Sequence, residues 1–160
     1  MDVRAAAESE IDNLARVWYD GWQDAHAQIV PAELTRHRTL ESFRQRLQAA
    51  LPNVRVAGPR GAPVGFFIVK GDELDQFFVA APSRGTGVAA ALIADAEARL
   101  SEGGVEVGWL ACAQGNERAA RFYEKHGWQR VGTVVIQLET PDGTIPLAVW
   151  RFEKALTHSA

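Results

Sequence analysis

The sequence predicts an α/β fold built on a mixed central sheet, and three observations predict it. A strand, a glycine-bearing loop and a helix follow one another from Glu73 to Leu100, with another apolar strand starting at Val105. Before that unit, apolar residues recur at helical spacing in two stretches; after it, two β-rich runs flank a turn. The chain has 160 residues, 47% of them hydrophobic and 23% charged, which is the balance of one domain spanning residues 1–160. Seventeen Lys and Arg face 20 Asp and Glu for a net charge of -3, with no block of like charge. A nonspecific nucleic-acid binder needs a basic footprint that this chain lacks.

Ser9, followed three residues later by Asp12, reads as a capping pair, and Ile11, Leu14, Ala15, Trp18 and Trp22 then mark a first amphipathic helix. The chain resets at Thr39, and Leu40, Phe43, Leu47 and Leu51 give a second helical stripe stopped by Pro52, the segment between reading as a loop. Val54–Ala57 and Val64–Val69 form a hairpin across Gly58, Pro59, Gly61 and Pro63, and Glu73–Ala80 adds a third strand. Val88, Leu92, Ile93, Ala96 and Leu100 then share one helical face that Gly103 and Gly104 close. Val105–Ala113 reads as a strand buried on both faces, parallel to the Glu73 strand through a right-handed crossover. Asn116 is an N-cap for a short helix ending in Lys125, His126 and Gly127. Gln129–Glu139 and Ile145–Glu153 flank Pro141, Asp142 and Gly143 as an antiparallel hairpin.

Two segments carry chemistry. In Arg84-Gly85-Thr86-Gly87-Val88-Ala89, successive N–H groups can converge on an anion at the positive end of a helix, with glycines leaving room for close approach. Alone, such a loop can equally be a tight turn. The second segment, Asn116-x-x-Ala119-x-x-Phe122-Tyr123-Glu124-Lys125-x-Gly127-Trp128, follows the next strand at fixed spacing. The two together, in this order, resemble the GNAT family of N-acetyltransferases, which transfer an acetyl group from acetyl-coenzyme A to amines. The resemblance is strongest from about Glu73 to Trp128, and the flanking order of helices, meander and hairpin is similar.

That resemblance implies a splayed central sheet with two N-terminal helices, a strand-loop-helix coenzyme A cradle and a C-terminal hairpin. It implies that Arg84, Gly85, Thr86, Gly87, Val88, Ala89 and Ala90 bind the coenzyme, the N–H groups from Gly85 to Ala90 holding its pyrophosphate. Backbone groups at Val79 and Ala80 would pair with the pantetheine arm, which enters where the Glu73 and Val105 strands part. Asn116 would bind that arm or a water. Two departures stand out: the proline falls at Pro82, one place later than usual, and the last loop glycine is Ala89, an accepted variant.

Acyl transfer to an amine poses two proton problems. An alkylamine with a pKa of about 10.4 is mostly protonated at neutral pH, and a departing thiolate, whose thiol has a pKa of about 8.5, benefits from a proton. The resemblance casts Tyr123 as the acid; the alternative is a core aromatic beside Phe122. For the base, Glu73 and Asp75 lie two apart on a strand and share a face. Glu73 stands where the histone-acetylating branch of the family carries a catalytic glutamate, although both carboxylates also fit a solvated strand start, and water can serve as a relay.

His26, His37, His126 and His158 have no metal-ligand spacing, so no metal is expected. Cys112, the single cysteine, excludes an intrachain disulfide and reads as a small buried hydrophobe rather than a nucleophile, leaving direct transfer. Trp18, Tyr19, Trp22 and His26, with the loop from Pro31 to Arg38, could wall an acceptor pocket, against a plainer role for Trp18 and Trp22 in the core. The expected activity is transfer from acetyl-CoA to a primary amine of a small molecule. A protein N-terminal or lysine acetyltransferase and a noncatalytic acyl-CoA sensor are the alternatives, although a sensor needs neither Asn116 nor Tyr123. The expected setting is cytoplasmic, without nucleic acid or membrane, since residues 1–7 hold no signal-like apolar core and no run of about 18 apolar residues exists. A homodimer is left open.

Overall fold

The structure, a computed structural model, describes residues 2–156. Seven strands lie within them: β1 (Val3–Ala5), β2 (Val54–Ala57), β3 (Gly65–Lys70), β4 (Glu73–Val79), β5 (Val107–Ala113), β6 (Gln129–Thr140) and β7 (Gly143–Ala155). They form one sheet in the order β1-β2-β3-β4-β5-β7-β6, antiparallel throughout except for the parallel pair β4–β5. The helices are α1 (Ile11–His26), α2 (Ala32–His37), α3 (Leu40–Ala50), α4 (Val88–Glu102) and α5 (Glu117–Lys125).

Each face of the sheet has its own core. On one, the α4 stripe Leu92, Ile93, Ala96 and Leu100 packs with Phe67, Leu110, Trp128 and Phe152. On the other, Leu14 and Trp18 of α1 and Phe43 and Leu47 of α3 cover Val54, Val56, Phe66 and Ile68. The Trp18 and Phe43 rings stack with centroids 4.7 Å apart, so Trp18 is spent on packing.

The mixed sheet, the N-terminal helices and the C-terminal hairpin are present, and the parallel pair parts as expected. β4 and β5 are bridged only at Glu73 and Trp109, next to a bond from the Trp109 N–H to the Asp72 carbonyl at 3.1 Å. Beyond it they diverge, and a gap opens toward the carboxyl ends of both strands.

Four local expectations need correction. The segment after Pro31 is helical (α2), not loop, although only Leu34 is buried there, too little for a periodic signal. Residues 3–5 form an edge strand too short to show alternation. Ser9 does not cap α1: it lies in a 3-10 turn, Glu8–Glu10, and the Glu10 carboxylate accepts from the Ala7 N–H at 2.9 Å. Finally, β5 is buried throughout one face but on the other only at its end, at Ala113. Leu110 and Cys112 face α4 and α5, whereas Trp109 lies under the Arg151 guanidinium and Ala111 lines a cavity.

Candidate active site

The loop before α4 shows why its glycines are there. Gly85 and Gly87 have φ of 76° and 91°, a region that residues with a Cβ rarely adopt, and open space lies where either Cβ would stand. Gly87 is the N-cap of α4, and its carbonyl accepts from the Ala91 N–H at 3.1 Å. Among the described residues, no protein acceptor takes the N–H groups of residues 85–90. Six consecutive free donors at the positive end of a long helix make an anion cradle.

From this cradle a groove of about 260 Å3 runs along the gap beside Phe77 and Val79 to Asn116, Ala119 and Tyr123. The Ala80 N–H is already donated to the Val64 carbonyl at 2.8 Å, so of the two arm-pairing residues expected from sequence, Ala80 lacks a free donor. The same bond makes Gly65 and Val79 a non-hydrogen-bonded pair in the β3–β4 ladder. By the alternation of that ladder, the N–H and C=O groups of Val79 and Phe77 turn toward the gap, where β5 no longer pairs with them.

Asn116 caps α5, its side-chain oxygen accepting from the Ala119 N–H at 3.4 Å. Seven residues on, Tyr123 falls on nearly the same helix face. It is 8% exposed, with its ring against Phe77, Phe122 and Phe152 at centroid distances of 6.2, 5.6 and 5.9 Å. Burial pushes its phenol well above the usual range, which keeps the proton on oxygen at neutral pH.

Asn116 and Tyr123 also border a second cavity, of about 180 Å3, on the α1–α3 side of the gap. Glu73 and Asp75 both reach it. A β-bulge shapes this wall: Gln76 pairs with Ile68 and Leu74 with Val69, leaving Asp75 unpaired. The extra residue turns Phe77 to the α4 side with Leu74, while Phe78 packs on the α1–α3 side. Burial raises the Glu73 carboxyl to about 7, with Asp75 and Asp72 adding to the rise and Lys70 and Arg151 opposing it. A carboxylate that titrates at that pH is matched to general-base work.

The remaining candidates divide. His26 lines the second cavity, but burial lowers its pKa to about 4, so it is neutral there. Trp22 lines it too, while Trp18 and Tyr19 do not. Burial pushes the Cys112 thiol up to about 12, so little thiolate exists for nucleophilic attack. Among the described residues no three His, Cys, Asp or Glu side chains converge as a metal site, and no helix is long and apolar enough to cross a membrane. His158 lies outside the described residues.

Of the further lining residues, Arg118, Gly21 and Arg46 escaped the sequence, whereas Arg84 and the segment ending at Arg38 were expected. Arg84 and Arg118 border the groove, and each donates to the Asp24 carboxylate at 3.0 Å, which lowers the Asp24 pKa. Gly21 lets α1 approach β4: a Cβ there would stand 2.7 Å from the Phe78 ring. Arg38 and Arg46 face the second cavity from α2 and α3. A glycine inside an apolar helix was the one signal on offer for Gly21; Arg118 and Arg46 look like ordinary surface charges until the fold turns them inward.

Comparisons with known proteins agree with this geometry. An uncharacterized N-acetyltransferase of Mycobacterium tuberculosis is 33% identical over 117 residues, covering 70% of this chain and 72% of its own. The peptidyl-lysine N-acetyltransferase YjaB of Escherichia coli is 28% identical over 133 residues, covering 82% and 84%. The PaiA N-acetyltransferase of Thermoplasma acidophilum, solved in complex with coenzyme A, superposes with a TM-score of 0.67 at 17% identity, over 96% of this chain and 98% of that one. The family model described as an acetyltransferase (GNAT) domain matches residues 23–137, which takes in the free amides before α4, the gap, Asn116 and Tyr123: the chain belongs to the GNAT family of N-acetyltransferases.

Proposed function

We propose that this N-acetyltransferase moves an acetyl group from acetyl-CoA directly to the primary amine of a small molecule. The observation that carries the reading is that the groove from the anion cradle and the cavity holding Glu73 and Asp75 share the wall made by Phe77, Phe78, Asn116, Ala119 and Tyr123. The N–H groups of residues 85–90 hold the pyrophosphate, and Arg84, freed from Asp24, adds a charge. Backbone groups of Val79 and Phe77 hold the pantetheine arm as an added strand would, with Asn116 beside it. The thioester then lies against Tyr123, and the amine reaches it from the other cavity.

Glu73, directly or through a water with Asp75, takes the proton of the ammonium. The free amine nitrogen attacks the thioester carbonyl; the C–N bond forms as the C–S bond breaks, and Tyr123 gives its proton to the sulfur. The second amine proton restores the Tyr123 phenol through water, and Glu73 releases the first to solvent, so an amide, a free thiol and one proton leave. Excess positive charge from the substrate is thereby shed into a carboxylate whose own burial favours taking it up.

A small acceptor is supported by the elements that wall its cavity. α1, α2 and α3 wall one side, Ile136, Leu138 and Leu147 of the β6–β7 hairpin wall another, and Arg36 of α2 meets Asp142 at the hairpin tip, 3.3 Å away. The name of the E. coli relative favours a second reading, a peptidyl lysine as acceptor. Incubation with acetyl-CoA, following free thiol and the mass of the acceptor, separates them: thiol release with small amines supports the proposal, and release only with a lysine peptide replaces it. No amine-dependent thiol with any acceptor would leave a coenzyme-binding sensor.

A further inference from the structure

The second cavity carries more charge than proton abstraction needs. Arg38, at the C-terminal end of α2, and Arg46, on α3, are half-buried and both line it. Neither guanidinium makes a hydrogen bond or salt bridge to any described residue. Arg46 instead lies over the Trp18 ring, 4.4 Å from its centroid, a contact that fixes its position without neutralising it. Burial lowers the pKa of both, that of Arg46 to about 10 with the Arg38 charge adding to the effect, so both are cations at neutral pH. The opposing influence on Arg46 comes from Asp75, which acts through space. Two carboxylates, Glu73 and Asp75, and two guanidiniums, Arg38 and Arg46, thus line one cavity, with Asp75 close enough to influence both Glu73 and Arg46.

Desolvated charges without a counter-ion are costly, and a structural pair would bring its own partner. These two face the cavity that also holds the candidate base. Resting on the transferase reading above, we infer that the acceptor is an amine that carries a carboxylate, an amino acid in the broad sense, with Arg38 and Arg46 holding the carboxylate while the amine meets Glu73. The cavity offers both charges that a zwitterion needs, carboxylates for its ammonium and guanidiniums for its carboxylate. A polycationic acceptor would set a positive group against two others. Guanidinium forks suit a planar carboxylate, and α2 and α3 present them from separate elements, so the distance between amine and carboxylate is selected as well.

The test uses matched acceptors with acetyl-CoA and the full chain: leucine with 3-methylbutylamine, phenylalanine with 2-phenylethylamine, and 4-aminobutyrate with propylamine. The carboxylate-bearing member of at least one pair should show kcat/KM higher by about 10- to 100-fold, the size of one or two charge-assisted hydrogen bonds, mainly through KM. Arg38→Gln and Arg46→Gln should each shrink that ratio toward one, with coenzyme affinity unchanged. Because the ratio is compared between variants, differences in amine basicity cancel. Arg38 stacks on no ring, so its variant remains informative if loss of the Arg46 contact with Trp18 unsettles the fold. Equal or better use of the decarboxylated amines, or a ratio that neither substitution moves, overturns the acceptor assignment while leaving the transferase reading intact. Absence of thiol release from every acceptor overturns the transferase reading and this assignment with it.

Discussion

Glu73 and Trp109 face one another at the root of the gap, the one bridged pair between β4 and β5 among the described residues. Past this point the Phe77 and Val79 backbone loses its partner strand, and the cradle before α4 lies at the open end. The residue that closes the sheet is therefore also the candidate base.

The cradle predicts coenzyme binding that depends on Gly87. Coenzyme A should raise Tm by mass action, and Gly87→Asp should remove most of the shift, since it sets a negative charge among the free amides. Gly87 has φ of 91°, so strain alone should cost about 1 to 3 kcal/mol. Gly104→Asp, at φ of 87° beyond the other end of α4, supplies the control: similar strain, coenzyme shift retained. Unchanged affinity in a folded Gly87→Asp protein would remove the cradle.

Glu73 predicts two pH effects of known sign. With its folded pKa near 7 and an unfolded value near 4.5, the native state binds the proton more tightly, so this group makes stability fall as pH rises through that window. Glu73→Gln should melt higher than wild type at pH 8, with the advantage vanishing near pH 4. The same substitution should lower the rate about 10²-fold near neutrality and flatten the limb of kcat/KM that rises through pH 7. A pH-rate profile that keeps that limb, in Glu73→Gln and in its double variant with Asp75→Asn, would reassign the base.

Gly21 predicts a conflict between propensity and packing. Alanine in a helix interior gains about 1 kcal/mol over glycine, but a Cβ 2.7 Å from the Phe78 ring forces overpacking that costs about 1 to 3 kcal/mol. Packing should win. Gly21→Ala should lower the denaturation midpoint with an unchanged slope and, because Phe78 borders both cavities, weaken coenzyme and acceptor together.

What the sequence revealed and concealed follows from the range of the interactions. The α4 loop and α5 were legible because their signals are local: glycines with positive φ, an Asn cap, a stripe of period 3.6. The apolar run of β5 looked buried on both faces because a cavity wall of Ala111 and a cation-covered Trp109 need the same residue types as a core. Arg46, Arg118 and the bulge at Asp75 are set by contacts between elements far apart in the chain, which no periodicity records.

Tyr123 carries the central claim, that the wall shared by the two cavities supplies the proton that lets sulfur leave. Its hydroxyl makes no hydrogen bond to the described residues, so Tyr123→Phe keeps the ring packed and should alter stability little. Single-turnover kinetics at saturating acetyl-CoA and acceptor, with wild type and Tyr123→Phe side by side, isolate the chemical step. Tyr123→Phe should slow this step about 10- to 10³-fold with coenzyme affinity essentially unchanged. A folded Tyr123→Phe protein with an undiminished chemical step would contradict it and leave Tyr123 an aromatic of the core.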